Sequence, residues 1–176
     1  MNIVIITPNW KSLSHGIFVM SPKSKGITAL CALGRGGMKS IKREGDGGTP
    51  IGTFKVLEAY YRADRIPRPK TNLPIHPITE KMGWCDEADD KNYNRKIGLP
   101  YKSSHEKLMR DDHLYDLMVV LDYNISTRKR GAGSAIFFHL AHPDFRPTEG
   151  CVAVQKNVML RFLECANLNT RFIIKR

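Results

Sequence analysis

No apolar run in this 176-residue sequence approaches the roughly 20 residues a bilayer-crossing helix needs, so stable membrane insertion is not expected. A secretory pattern is lacking too. Ile3-Val4-Ile5-Ile6 is stopped by Thr7-Pro8-Asn9, well short of a signal peptide's apolar stretch. The protein is therefore expected in the cytoplasm, or in the periplasm or cell envelope if another route exports it. Among Cys31, Cys85, Cys151 and Cys165 no pair has Cys-x-x-Cys spacing, which removes the basis for a zinc site or thioredoxin-like chemistry. Free thiols are expected in a reducing compartment, with no metal and no other cofactor. Internal repeats and low-complexity tracts are absent. Acidic residues are in deficit, 17 Asp and Glu against 28 Lys and Arg, for a net charge of +11. That balance suits an anionic partner: nucleic acid, an anionic membrane, or a small substrate with several carboxylates. A solvated basic surface explains it equally well. The basic residues are scattered and no nucleic-acid-binding motif appears, so nucleic acid is not the expected partner.

Apolar content of 41% and charged content of 26% are ordinary for a globular chain, and the length suits one domain over residues 1–176. Segments rich in Val, Ile, Phe and Tyr, bounded by Gly, Pro, Asn or Ser, predict strands over 2–7, 16–21, 26–33, 52–61, 117–123, 135–139 and 171–175. One helix is predicted over 155–168, where Val158, Met159, Phe162, Leu163 and Ala166 recur at helical spacing, and a weaker one over 103–110. Residues 64–113 carry Pro67, Pro69, Pro74, Pro77 and Pro100 and read as a long lid-like insertion or substrate wall. The fold class is mainly β, a sandwich or barrel with one packed C-terminal helix.

Chemistry concentrates late in the chain. His139 ends a predicted strand, a loop with Pro143 and Pro147 follows, and Thr148-Glu149-Gly150-Cys151 leads into the apolar Val152-Ala153-Val154. Two elements joined by such a loop can lie side by side and bring thiol and imidazole within reach, as nucleophilic catalysis requires. An imidazole can draw off the thiol proton, and Gly150 lets backbone approach a substrate closely enough for an oxyanion hole. Cys31 and Cys165 sit in apolar patterns and read as small core residues. Cys85 is a rival nucleophile without an upstream glycine turn.

His139 followed by Thr148-x-Gly150-Cys151 resembles the active-site signature of the YkuD-type L,D-transpeptidases. Gly48-Thr49-Pro50-Ile51-Gly52-Thr53-Phe54 resembles that family's second hallmark, a Thr-Pro-x-Gly-x-Phe passage entering a core strand. The two motifs occur in the family's order and span most of the chain. The resemblance implies a YkuD-like β-sandwich, Cys151 as nucleophile and His139 as its base. It further implies that the Leu140 carbonyl orients the imidazole, that Gly150 and Cys151 supply oxyanion N–H groups, and that Thr148 braces the turn. Peptidoglycan stem peptides are the implied substrates, attacked at the carbonyl before the terminal D-alanine to give a thioester that passes to water or to an amine. With no export signal, an L,D-carboxypeptidase in muropeptide recycling is the favoured expectation. An exported cross-linking transpeptidase is the alternative, and a basic wall- or nucleic-acid-binding module with a dead site the remote one.

Two positions depart from the family pattern. Glu149 stands where a second His is common, and Ala153 where Arg or Asn is usual. His142 is a possible substitute for the missing His, and Glu149 a candidate to orient water. In the insertion, Trp84, Tyr93 and Arg95 are candidates for contacting substrate, Arg95 through a carboxylate. A surface loop with one anchoring Trp is the competing reading of that segment.

Overall fold

The computed structural model describes residues 2–21 and 26–176. The chain runs β1 (Ile3–Asn9), β2 (Ser12–Met20), β3 (Ile27–Ala32), β4 (Met38–Lys39), β5 (Thr49–Pro50), β6 (Gly52–Tyr61), β7 (Ile75–Pro77), β8 (Met82–Cys85), β9 (Arg95–Gly98) and β10 (His105–Lys107). It continues through β11 (Leu117–Leu121), β12 (Phe137–Leu140), β13 (Val152–Val154), α1 (Lys156–Cys165) and β14 (Arg171–Ile174). The fold is mostly β with one C-terminal helix.

The large sheet has the order β11-β12-β13-β3-β2-β1-β14-β6-β7, and β6 also pairs with β11. That extra pairing closes the sheet on itself. The length of β6 makes this possible: residues 52–55 pair with β14, while Val56 to Tyr61 pair with β11. Alternating side chains then fill the interior, among them Val4, Ile6, Phe18, Val119, Phe138 and Phe172. Val158, Met159, Phe162 and Leu163 of α1 pack onto the same core. Its aromatic centre is Phe138, stacked on Phe18 at 5.5 Å and set edge-on to Phe162 at 5.0 Å.

The opposite face of β11 and β12 is covered as well. Where the sequence predicts an irregular lid or substrate wall, residues 64–113 contribute β7 to the large sheet and build a second, three-stranded sheet of order β10-β8-β9. It buries Trp84 and Leu108 against Tyr115, Met118, Val120, Phe137 and Cys151. The weaker predicted helix over 103–110 is not formed. Glu106 pairs opposite Trp84 and Lys107 opposite Gly83, so β8 offers these residues ladder hydrogen bonds that outweigh a modest local helix preference. The predicted strands 16–21, 117–123 and 135–139 are present with shifted ends.

A glycine contact fixes the two motifs against each other. A Cβ on Gly34 would lie 2.1 Å from the Gly47 carbonyl oxygen, and one on Gly150 would lie 2.8 Å from that of Gly48. Gly34 N–H donates to buried Thr49 Oγ1 at 2.8 Å, Arg35 N–H to the Thr148 carbonyl at 2.8 Å, and Thr148 N–H to the Leu33 carbonyl at 2.9 Å. The Gly47-Gly48-Thr49-Pro50 passage is thus joined through residues 33–35 to the turn that carries Cys151.

Two stability outcomes follow from this packing. Phe138→Ala is expected to cost about 3–5 kcal/mol and to lower the melting temperature by on the order of 10 °C in a thermal scan. Gly34→Ala puts a methyl group into backbone that cannot step aside, so it is expected to lose more than about 2 kcal/mol. Gly98→Ala, with nothing within 4 Å of its Cβ position, serves as the control and should stay within about 0.5 kcal/mol of the parent. Equal melting of both glycine variants would contradict the contact.

Candidate active site

Register decides which side chains share a face. Strands β12 and β13 run parallel, with Phe138 opposite Val152, His139 opposite Ala153 and Leu140 opposite Val154. Phe138, Leu140, Val152 and Val154 point into the main core, so alternation turns Phe137, His139, Cys151 and Ala153 toward the second layer. The crossover through Pro143 and Pro147 therefore returns Cys151 one step behind His139, on the same face. Both line one cleft of about 170 Å³, with Tyr115 as a wall, the half-buried Glu106, Arg110 and His142 around it, and the exposed Arg146 and Glu149 toward solvent.

The His139 ring is buried. Its Nδ1 donates to the Leu140 carbonyl at 2.8 Å, which fixes the tautomer and leaves the Nε2 lone pair free. The Tyr115 ring meets the imidazole edge-on at 5.2 Å. Burial is the largest influence on its proton affinity and lowers its pKa to about 4, against the opposing effect of the Leu140 hydrogen bond.

The Cys151 thiol donates to the Ala135 carbonyl at 3.2 Å and accepts from Phe137 N–H at 3.3 Å. Burial first, and the Glu106 carboxylate second, push the thiol up to about 12. At rest the pair is a neutral thiol beside a neutral imidazole, and the S–H is directed at a carbonyl rather than at His139. The sequence suggested an imidazole already drawing the proton away. Shared burial of both groups accounts for the difference, because it disfavours either charged form.

Thr148 Oγ1 donates to the Cys151 carbonyl at 2.7 Å and accepts from Gly150 N–H at 3.2 Å. Gly150 has φ +138°, a conformation that favours glycine, in addition to its close approach to Gly48. The oxyanion role expected of the Gly150 N–H is thus corrected, because that donor is already engaged by Thr148. The turn's remaining candidate donor is the Cys151 N–H.

The predicted substrate contacts divide sharply. His142 and Glu149 line the cleft, but each is held by a partner: His142 Nδ1 by Arg146 Nη2 at 2.8 Å, and Glu149 by Arg35 Nε at 2.9 Å. Arg95 is exposed on β9, opposite Cys85, outside the residues that form the cleft. Trp84 and Tyr93 are buried and structural. Trp84 packs edge-on to Phe137 at 5.1 Å, and Tyr93 donates to Glu44 and accepts from Gly133 N–H. The rival thiol Cys85 is buried on β8.

Several participants were not found from the sequence. Asn94, between the named Tyr93 and Arg95, accepts from Trp84 Nε1 at 2.9 Å and from Ala135 N–H at 3.0 Å. Ala135 itself has φ +52°, which helps aim its carbonyl at the thiol. Tyr115, Glu106 and Arg110 complete the walls, and the Glu-x-x-x-Arg spacing at 106–110 was the available signal. Among the described residues no group of acids, histidines and cysteines is placed to hold a metal ion, and no helix is long and apolar enough to cross a membrane.

Among solved structures, an L,D-transpeptidase from Mycobacterium smegmatis is 12% identical at a TM-score of 0.43, covering 98% of this chain and 58% of that one. Mycobacterium tuberculosis L,D-transpeptidase 1 is 11% identical at a TM-score of 0.40, covering 98% of this chain and 62% of its own. The chain thus spans about three fifths of the length of these structures. No curated protein matches it significantly. The family model YkuD, described as the L,D-transpeptidase catalytic domain, matches residues 13–174. This match takes in the Thr49-Pro50 passage, the β12–β13 pair and the cleft between them, and by it the chain belongs to the YkuD family.

Proposed function

We propose that the protein is a cysteine-dependent L,D-carboxypeptidase that removes the terminal D-alanine from peptidoglycan stem tetrapeptides. The observation that carries this reading is the single small cleft into which Cys151 and His139 both open. In the reaction the thiol turns from the Ala135 carbonyl to His139 Nε2, which takes the proton as sulfur attacks the carbonyl of the third residue. Phe137 N–H, already on the sulfur, favours its anionic form, and the Cys151 N–H is the donor assigned to the developing oxyanion. His139 then returns the proton to the departing D-alanine amine. The resulting thioester is hydrolysed by a water that gives its proton to the same nitrogen, regenerating the thiol.

Water as acceptor is supported by the size of the cleft. A volume of about 170 Å³ falls below the several hundred Å³ usual for drug-sized ligands, which leaves little room for an acceptor stem beside a bound donor. Glu149, the candidate for orienting that water, is tied to Arg35, so any such role is exerted from within that ion pair. The four free cysteines suit a reducing compartment, and we infer that the substrate is a soluble muropeptide recycled in the cytosol. The family description favours one competing reading, in which an amine takes the acyl group to form a cross-link.

Disaccharide tetrapeptide incubated with the protein should yield tripeptide and free D-alanine by mass spectrometry, with poor exchange of added D-amino acids. Cross-linked dimers as the main product would replace this reading with the transpeptidase. Cys151→Ala should abolish turnover, and His139→Ala should reduce it about 10²–10⁴-fold, with His142→Ala costing much less. The pH profile supplies an independent check. His139 accepts a proton only when neutral, so activity is retained above its pKa and lost as pH falls through it. With that pKa lowered to about 4, the acid limb of kcat/KM should lie near pH 4 instead of 6.5. A limb at the ordinary histidine value would mean that the ring is solvated in the working enzyme.

A further inference from the structure

Carboxypeptidases must tell a chain end from the middle of a peptide. The distinguishing group is the terminal carboxylate, three covalent bonds beyond the attacked carbonyl carbon. In so small a cleft that carboxylate has to lie beside the thiol and the imidazole. Two half-buried charged residues line the cleft there, Glu106 and Arg110.

Arg110 is held on one edge only. Its Nε donates to Asp112 Oδ1 at 2.9 Å and Oδ2 at 3.2 Å, and its Nη2 donates to Oδ2 at 2.6 Å. The guanidinium carbon lies 5.2 Å from the centre of the Tyr115 ring, and the same ring lies 5.2 Å from the imidazole of His139. Tyr115 is fixed in turn by its hydroxyl, which donates to Glu106 Oε1 at 2.9 Å. Among the described residues Arg110 Nη1 makes no hydrogen bond. The result is an arginine immobilised by a carboxylate and an aromatic face, one ring away from the base, with part of its donor fork unused.

Other cations near the site lack this combination. Arg146 is exposed and bonded to His142. Lys42 is buried behind the Gly150 turn and paired with Asp46 at 2.8 Å. Arg95 lies outside the cleft.

We infer that Arg110, aligned by Asp112 and Tyr115, binds the free terminal carboxylate of the peptide and so makes the chain end a requirement for productive binding. This rests on the carboxypeptidase reading above and gives it a specificity-determining residue. Arg–carboxylate pairing is directional as well as charged, so the anchor also orients the scissile bond toward Cys151. Glu106 lies on the same cleft wall, where burial raises its pKa against the lowering effects of the Tyr115 hydroxyl and Arg110. Pairing Arg110 with substrate also offsets a cation that disfavours a protonated His139, the form needed midway through each half-reaction.

The test uses calorimetric binding to the Cys151→Ala protein, which cannot turn substrate over. Three peptides are compared: the stem tetrapeptide with a free terminal carboxylate, the same peptide as a C-terminal amide, and one amidated on the carboxyl group of the diamino-acid side chain. The free acid and the side-chain amide are expected to bind alike, each about tenfold or more tighter than the terminal amide. Adding Arg110→Gln should erase that preference, and Arg110→Lys should restore part of it. Circular dichroism and melting curves report whether each variant is folded. A preference that survives Arg110→Gln in folded protein would overturn the assignment, as would loss of binding on side-chain amidation instead of terminal amidation. Binding of no stem peptide at all would overturn the proposed function together with its anchor.

Discussion

The site depends on a place where backbone touches backbone. Gly34 lies against Gly47, and Gly150 against Gly48, at separations that leave no room for a side chain. Thr49 and Thr148 then fix the strands of this contact through hydrogen bonds to Gly34 and to the Cys151 carbonyl. Two sequence motifs far apart in the chain are therefore one structural unit. The Thr-Pro passage thus sets the position of the turn from which the thiol projects.

Burial on both faces of β12 governs the chemistry. One face packs into the main core through Phe138, and the other is roofed by the three-stranded sheet with Trp84 and Tyr115. Placing a thiol and an imidazole under that roof keeps both uncharged at rest. A desolvated, neutral pair stores no ion pair for solvent to discharge, and it develops charge only when a substrate supplies compensating groups. Coupling between roof and thiol is direct. Trp84 donates to Asn94, Asn94 accepts from Ala135 N–H, and the Ala135 carbonyl receives the thiol hydrogen.

Sequence patterns revealed the central strands, the helix and the placing of Cys151 and His139 in one cleft because each has a local signature: β-branched and aromatic runs, helical spacing, and a glycine before the cysteine. Sheet closure through β6 and β11 was not legible, since pairing partners distant in sequence leave no mark on either segment. The insertion misled for a related reason. Its strands are short and polar on the exposed face, so β10 reads as a weak helix until β8 is beside it. Arg95 attracted attention by its charge and its neighbours, whereas Arg110 had the better claim only once Tyr115 and His139 were folded around it. Asn94 was passed over between two more conspicuous residues, although its amide joins three segments.

The closed hydrogen-bond ring has a bearing on how the protein meets copies of itself. An open sheet exposes two rows of unpaired backbone groups, each a template for another chain's strand. Pairing of β11 with β6 removes one of those rows, and β7 is the terminal strand at the other end of the order. That strand is three residues long, preceded by Pro74 and ended by Pro77, and proline cannot donate to an incoming strand. That border is short and chemically blunted, which makes it a poor template for an incoming strand.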